Sequence, residues 1–322
     1  MSPEKLALRA GAIALAFALL FRLSSCEDAP ENFAKAAFFL SSGRVLREAP
    51  QTPPPETDPP PTTPPAVTDP QPQLPVFSPE TADSLRIAGT AAGSVDKAAL
   101  LTAPLCWDLQ QDVPTVLILH THGSESYENT EGYTPSSEYR TLDENYNMLS
   151  IGAFVAQRLE DAGISVLQDR QLHDYPSYNG SYVNSRESLQ KYLKEYPSIR
   201  LVLDLHRDAA EDASGRQIRY TAESKYGKAA KLMLVMGTDT PGRPHESWQE
   251  NLSLALKLQA ALEQDCPGVT RPISLRSSRL NQDLSTGAVL VEVGAAGNTR
   301  QEACNAAALL ADAVIALSRG TG

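Results

Sequence analysis

Three apolar runs in this chain end in residues of a different kind. Pro114-Thr-Val-Leu-Ile-Leu119 is followed by His120-Thr-His122-Gly-Ser-Glu125-Ser-Tyr127, Arg200-Leu-Val-Leu-Asp204-Leu205 by His206-Arg207-Asp208, and Gly287-Ala-Val-Leu-Val-Glu-Val293 carries Glu292 near its end. Imidazoles and carboxylates are the ligands of a catalytic Zn²⁺ site. Two neutral imidazoles and one carboxylate leave the ion a net positive charge and an open position for water, whose pKa falls from about 15.7 toward ~7. A further carboxylate at the rim, Glu292, can take the proton from that water and hand it to a leaving amine. Burying such groups singly costs several kcal/mol, so their recurrence at three strand ends points to one shared site.

The elements that must position these residues read as alternating strands and helices. Strands are expected over 114–119, 164–167, 200–205, 231–236 and 287–293, and helices over 184–196, 246–264 and from Thr299 to about Leu317. Thr141-Leu-Asp-Glu144 and Thr299-Arg-Gln-Glu302 read as capping boxes, each opening a helix. This alternation predicts an α/β fold: a single domain with a twisted, mostly parallel sheet and helices on both faces. Ligands of such sheets bind beyond the carboxyl ends of the strands. Strand side chains alternate faces, so His120 and His122 are expected to point the same way, as are Asp204 and His206. One of each pair then binds metal while the other orients it. His173 and His245 fall in Pro- and Gly-punctuated loops and read as surface residues, and Asn281, Gln282 and Asp283 read as a polar loop bordering the pocket.

Composition limits what surrounds this domain. A net charge of −11 over 322 residues excludes non-specific nucleic-acid binding, which rests on Lys and Arg neutralising phosphates. Residues 1–26 carry Lys5 and Arg9 before an apolar run and end at Leu23-Ser-Ser-Cys26, the pattern of a signal anchor, a cleaved signal or a lipoprotein. A single-pass anchor in the cell membrane is the preferred reading, with the folded domain outside the cytoplasm. Residues 27–49 form a juxtamembrane segment, and the 50–80 stretch holds 13 prolines and cannot bury a core. In polyproline II at ~3.1 Å per residue it is a semi-rigid spacer reaching roughly 90 Å. Residues 81–111 read as a lead-in and 112–318 as the catalytic domain. Cys26, Cys106, Cys266 and Cys304 lack C-x-x-C spacing, and the last two read as small buried residues.

The motifs 116–127, Arg140-Thr-Leu-Asp143, His173-Asp-Tyr-Pro-Ser-Tyr178, 204–208, Leu280-Asn-Gln-Asp-Leu284 and Leu290-Val-Glu-Val-Gly294, in this order, resemble the stage II sporulation protein P family. The resemblance implies a zinc amidase-like fold and an N-acetylmuramoyl-L-alanine amidase acting on peptidoglycan during engulfment in endospore formation. It also implies a possible second activity on peptide cross-links and a partner sporulation protein that processes glycan. Carried over by residue, His122 and His206 are expected zinc ligands and Glu292 the catalytic carboxylate. Glu125, three residues after His122, is the preferred third ligand, with Asp143 or Glu144 as alternatives. Tyr127, Arg140, Arg207 and Asp208 are expected to shape the substrate groove. Two other readings stay open: a tethered wall-binding module without catalysis, and a zinc peptidase or deacetylase.

Overall fold

Runs rich in Val, Ile and Leu form strands here because such side chains suit a pleated surface buried on both sides. The computed structural model describes residues 77–320, apart from positions 90, 106, 129–131 and 243. The expected anchor, the juxtamembrane segment, Cys106 and the linker up to residue 76 lie outside the described residues. Among those described, no helix is long and apolar enough to cross a membrane. In chain order the elements are α1 (Thr81–Ser84), β1 (Ile87–Ala88), α2 (Lys97–Thr102), β2 (Val116–Leu119), α3 (Met148–Asp161), β3 (Val166–Gln168), α4 (Ser181–Glu195) and β4 (Leu201–Asp208). They continue with β5 (Thr221–Ser224), β6 (Gly227–Ala230), β7 (Leu232–Gly237), α5 (Trp248–Asp265), β8 (Ile273–Arg276), β9 (Ala288–Ala295) and α6 (Arg300–Ser318).

Seven strands form one sheet in the order β1-β8-β7-β9-β4-β2-β3. Every pairing in it is parallel except β7 with β9. Alternation sorts the strand side chains between two faces. Val116, Ile118, Leu203, Leu205, Val289 and Val291 enter a large core closed by α3, α5 and α6. Leu117, Leu119, Val202 and Ala288 pack instead with Leu189 and Tyr192 of α4. The mostly parallel α/β sheet with helices on both faces is thus observed.

Several elements depart from the sequence expectation. The 81–111 segment contributes β1, which pairs with β8, and α2, which packs on α5 through Ser253 and Lys257. The β5–β6 hairpin was not foreseen; it turns at Gly227, where φ is +89°. Thr141 does not cap a helix. Its hydroxyl accepts from Asp143 N at 3.1 Å in a turn, while Asn147 caps α3 by accepting from Leu149 N at 3.0 Å. Thr299 does form the expected capping box with Glu302. Cys266 is buried, Cys304 is half-buried, and both are free.

The paired orientation of His120 and His122 also fails. β2 stops at Leu119 and residues 121–124 form a turn, so the two-residue alternation does not continue to His122. His120 stays on the α3 side, fully buried, with Nε2 3.0 Å from Gln168 Nε2 and Nδ1 3.3 Å from the Leu205 carbonyl. Burial pulls its pKa down to about 4, so it is a neutral packing residue. α3 approaches it at Gly152, where an added Cβ would lie 2.3 Å from His120 Nε2. Gly152→Ala is therefore expected to lower stability by about 1–3 kcal/mol, overpacking outweighing the gain in helix propensity. A urea midpoint equal to or above that of the wild type would contradict this close approach.

Candidate functional site

β4 and β9 pair with His206 opposite Glu292. Both have the parity of Val202 and Ala288, so both project on the α4 face of the sheet. The turn after β2 brings His122 to the same place, its ring 5.1 Å from that of His206 and perpendicular to it at 88°. Glu125 follows one turn later, its Oε2 3.7 Å from His206 Nδ1. His122, Glu125, His206 and Glu292, selected from sequence, thus come together at the carboxyl ends of β2, β4 and β9. The alternative ligands do not join them. Asp143 bonds the amide of Asn145, and the exposed Glu144 pairs with Arg170.

Asp204 orients His206. Its Oδ1 lies 3.0 Å from His206 Nε2, within ion-pair range but off the N–H axis, and its carboxylate also accepts from Thr121 N and Oγ1 at 2.8 and 2.7 Å. Burial would raise the Asp204 pKa, yet His206 and the Thr121 bonds outweigh it and hold the carboxyl well below its usual range. For His206 burial opposes charge, and Asp204, then Glu125 and Glu292, push the pKa up to about 9. His122 moves the other way, down to about 3, through burial and then the neighbouring charge of His206. Glu292 rises to about 8, chiefly by burial, opposed by His206 and reinforced by Glu125. A carboxyl near neutrality can both accept and return a proton.

Among the described residues, no set of three or more His, Cys, Asp or Glu side chains is gathered closely enough to hold a metal ion. His206 leans on Asp204, and Glu125 is taken up by the Arg207 amide at 3.1 Å and by the guanidiniums of Arg207 and Arg140 at 3.6 and 3.9 Å. The donor chemistry nevertheless suits Zn²⁺. His122 Nδ1 and Glu292 Oε2 are buried without a hydrogen-bond partner, which is costly unless something else satisfies them.

The residues expected to line a substrate groove divide. Tyr127 points into the core, its hydroxyl donating to the Val293 carbonyl at 2.8 Å. Arg207 is buried and straps the loop, donating to the carbonyls of Ser126, Glu138 and Tyr139. Asp208 pairs with Arg271 at 2.5 Å. Only Arg140 reaches the site mouth, its guanidinium 4.2 Å from the Tyr178 ring and 3.4 Å from Asp174. Tyr178 and Tyr182 had no assigned role, yet Tyr178 stacks on His122 at 4.4 Å and Tyr182 meets it edge-on at 5.6 Å. The hint in sequence was the run of tyrosines leading into α4. His173 and His245 are buried rather than superficial. His173 Nε2 lies 2.9 Å from Asp169, and the His245 amide donates to Asp239 Oδ1 at 2.9 Å. Asn281 donates to the Tyr182 carbonyl at 2.8 Å, so the 280–284 loop fixes the start of α4.

The family model described as stage II sporulation protein P matches residues 60–315. This chain belongs to that family. It is 28% identical over 213 residues to the Stage II sporulation protein P of Bacillus subtilis strain 168, a match covering 62% of this chain and 50% of that protein. The chain therefore spans about half the length of this curated relative. Among solved structures, the N-acetylmuramoyl-L-alanine amidase AmiC2 of Nostoc punctiforme is similar with a TM-score of 0.39 and 13% identity, over 62% of this chain and 94% of that one. The N-acetylmuramoyl-L-alanine amidase of Clostridium difficile 630 is similar with a TM-score of 0.37 and 15% identity, over 64% and 97%.

The two arginines of this family member should separate on substitution. Arg207→Met strands Glu125 and three carbonyls and is expected to cost on the order of 3 kcal/mol. Arg140→Met, at a partly exposed pair, should cost under about 1 kcal/mol. Chemical denaturation of both variants checks the contrast, and equal losses would refute the strap.

Proposed function

We propose that this chain is a zinc-dependent N-acetylmuramoyl-L-alanine amidase. It hydrolyses the amide between the muramoyl lactyl group and L-alanine in peptidoglycan. The observation that carries this reading is the meeting of His122, Glu125, His206 and Glu292 at one sheet face, with His122 Nδ1 and Glu292 Oε2 buried and unpartnered. Membership of the stage II sporulation protein P family supports a setting in endospore formation, at engulfment. The N-terminal segment anchors the chain in the cell membrane, the proline-rich stretch spaces the domain from it, and a second glycan-processing sporulation protein works beside it.

His122, His206 and Glu125 would hold the ion. Bound there, Zn²⁺ supplies polarisation of the amide carbonyl and acidification of water. The remaining work falls to the chain. Asp204 fixes the ring of His206, and Tyr178 and Tyr182 enclose His122 on two sides. Glu292, with its pKa lifted to about 8, takes the water proton and returns it to the departing amine of L-alanine. Arg140 at the mouth suits a carboxylate of the stem peptide.

Purified protein incubated with peptidoglycan should release free stem peptides and leave peptide-stripped glycan. A chelator should abolish both products, and Glu292→Gln should lower the rate by about 10²–10⁴-fold. Mass spectrometry of the soluble fraction reads the result. Disaccharide-peptides with intact lactyl amides but severed cross-links would turn the reading toward a peptidase. Loss of acetyl groups alone would indicate a deacetylase, and wall binding without product a binding module.

A further inference from the structure

β7 enters the sheet at the catalytic edge, because it pairs antiparallel with β9 and sets Leu232 opposite Val293 and Met233 opposite Glu292. Ala230 and Leu232 both lie in the core closed by α3, α5 and α6, whereas Met233 and Val235 pack on the other face with Leu290 and Leu280. Lys231 stands between Ala230 and Leu232, so its side chain leaves toward that other face, the one that carries His206 and Glu292. Strands rise about 3.4 Å per residue and lie about 4.8 Å apart, which places the Lys231 backbone roughly 8 Å from that of Glu292, outward along the sheet edge. With the register continued by one residue, Lys231 faces Gly294, which has no side chain to fill the space between lysine and carboxyl.

The backbone of Lys231 is fixed and its charge is uncommitted. Its amide donates to the Tyr220 carbonyl at 3.0 Å, and the residue is half-buried. Among the described residues its ammonium has no ion-pair or hydrogen-bond partner. The arginines around the site are already engaged. Arg271 pairs with Asp208, and the Arg207 guanidinium with Glu125 and the loop carbonyls. Arg140, which follows β2 on the far side of β9 and β4, shares its charge between Glu125 and Asp174. A half-buried ammonium beside a hydrolytic site, with no carboxylate of its own, suits a carboxylate brought by the substrate.

We propose that Lys231 is a specificity residue that binds the free carboxylate closest to the scissile amide in the stem peptide. This rests on the amidase reading. The departing L-alanine is followed by a glutamate linked through its side chain, whose α-carboxylate hangs about one residue, ~3.8 Å of backbone, beyond the bond that breaks. With the scissile amide beside Glu292, a peptide that leaves across β9 toward β7 brings this carboxylate within reach of the four-carbon stem of Lys231. Lys231 makes and breaks no covalent bond. Its charge-assisted hydrogen bond holds the amide in place against Glu292 and selects peptides that carry the charge.

The test uses two soluble disaccharide-peptides that differ only at that group, a carboxylate in one and a carboxamide in the other. Values of kcat and KM are measured separately for the full chain as wild type, Lys231→Met, Lys231→Arg and Arg140→Met. Wild type should favour the carboxylate compound by about 10-fold in kcat/KM, chiefly through KM. Lys231→Met should lose this preference, falling about 10-fold on the carboxylate compound while staying within about twofold of wild type on the carboxamide, and Lys231→Arg should keep it. Turnover of the carboxamide also shows that the variant is folded. A Lys231→Met enzyme that keeps the wild-type preference, or loses both substrates equally, overturns the proposal, as does a preference lost in Arg140→Met alone. A wild type that cleaves both compounds equally overturns this proposal and leaves the amidase reading standing. One that cleaves neither overturns the amidase reading, and this proposal with it.

Discussion

The parallel pairing of β4 with β9 is the constraint on which the site depends, because it sets His206 beside Glu292 on one face of the sheet. A slip of one residue in either strand would exchange these side chains for apolar ones, sending Glu292 toward the core now filled by Val291 and Val293. The alternation of apolar residues along both strands makes that slip prohibitive. Hydrophobic burial on the α3, α5 and α6 side thus fixes the polar geometry on the other. The register shifts between His206 and Asp208, and there the Arg207 amide donates to Glu125, joining loop to strand.

The described residues of the loop after β2 are tied down by ion pairs and hydrogen bonds. Asp174 accepts from Ser124 Oγ at 2.6 Å and pairs with Arg140, while Arg207 binds the loop's carbonyls from beneath. These contacts add to an isolated antiparallel bridge between Glu125 and Arg140, since β2 itself ends before His122 and Glu125. The electrostatics follow. Asp204, Glu125 and Glu292 favour a positive charge on His206, and that charge together with burial keeps His122 neutral, the form able to ligate a metal.

Much of this was legible in the sequence, and the exceptions have physical causes. The strands and the long helices followed from apolar runs, His206 and Glu292 from their strand ends, and the choice of His122 and Glu125 beside them from the resemblance to the family. Parity failed at His120 and His122 because β2 ends at Leu119 and the chain turns over residues 121–124. Thr141 read as a cap, but the side chains that bind locally at a helix start bind equally well in a turn. Arg207 lies beside His206 in sequence yet turns to loop carbonyls, since neighbours on a strand face opposite ways. The register shift after His206 takes Asp208 to Arg271, and Tyr127 in the loop after β2 turns its hydroxyl to the Val293 carbonyl in the core. His245 looked exposed in its Pro- and Gly-punctuated loop, yet it is buried, which local pattern does not reveal. Tyr178 and Tyr182 reach the site through a crossover that local pattern cannot place.

The central claim is that His122, Glu125 and His206 together bind one metal ion beside Glu292. The most direct measurement is an anomalous-scattering map at the zinc edge from crystals of the zinc-loaded protein. The expected result is a single strong peak within about 2.0–2.2 Å of one nitrogen from each histidine and one Glu125 oxygen. A peak elsewhere, or a peak that persists when both His122 and His206 are replaced by alanine, would contradict it.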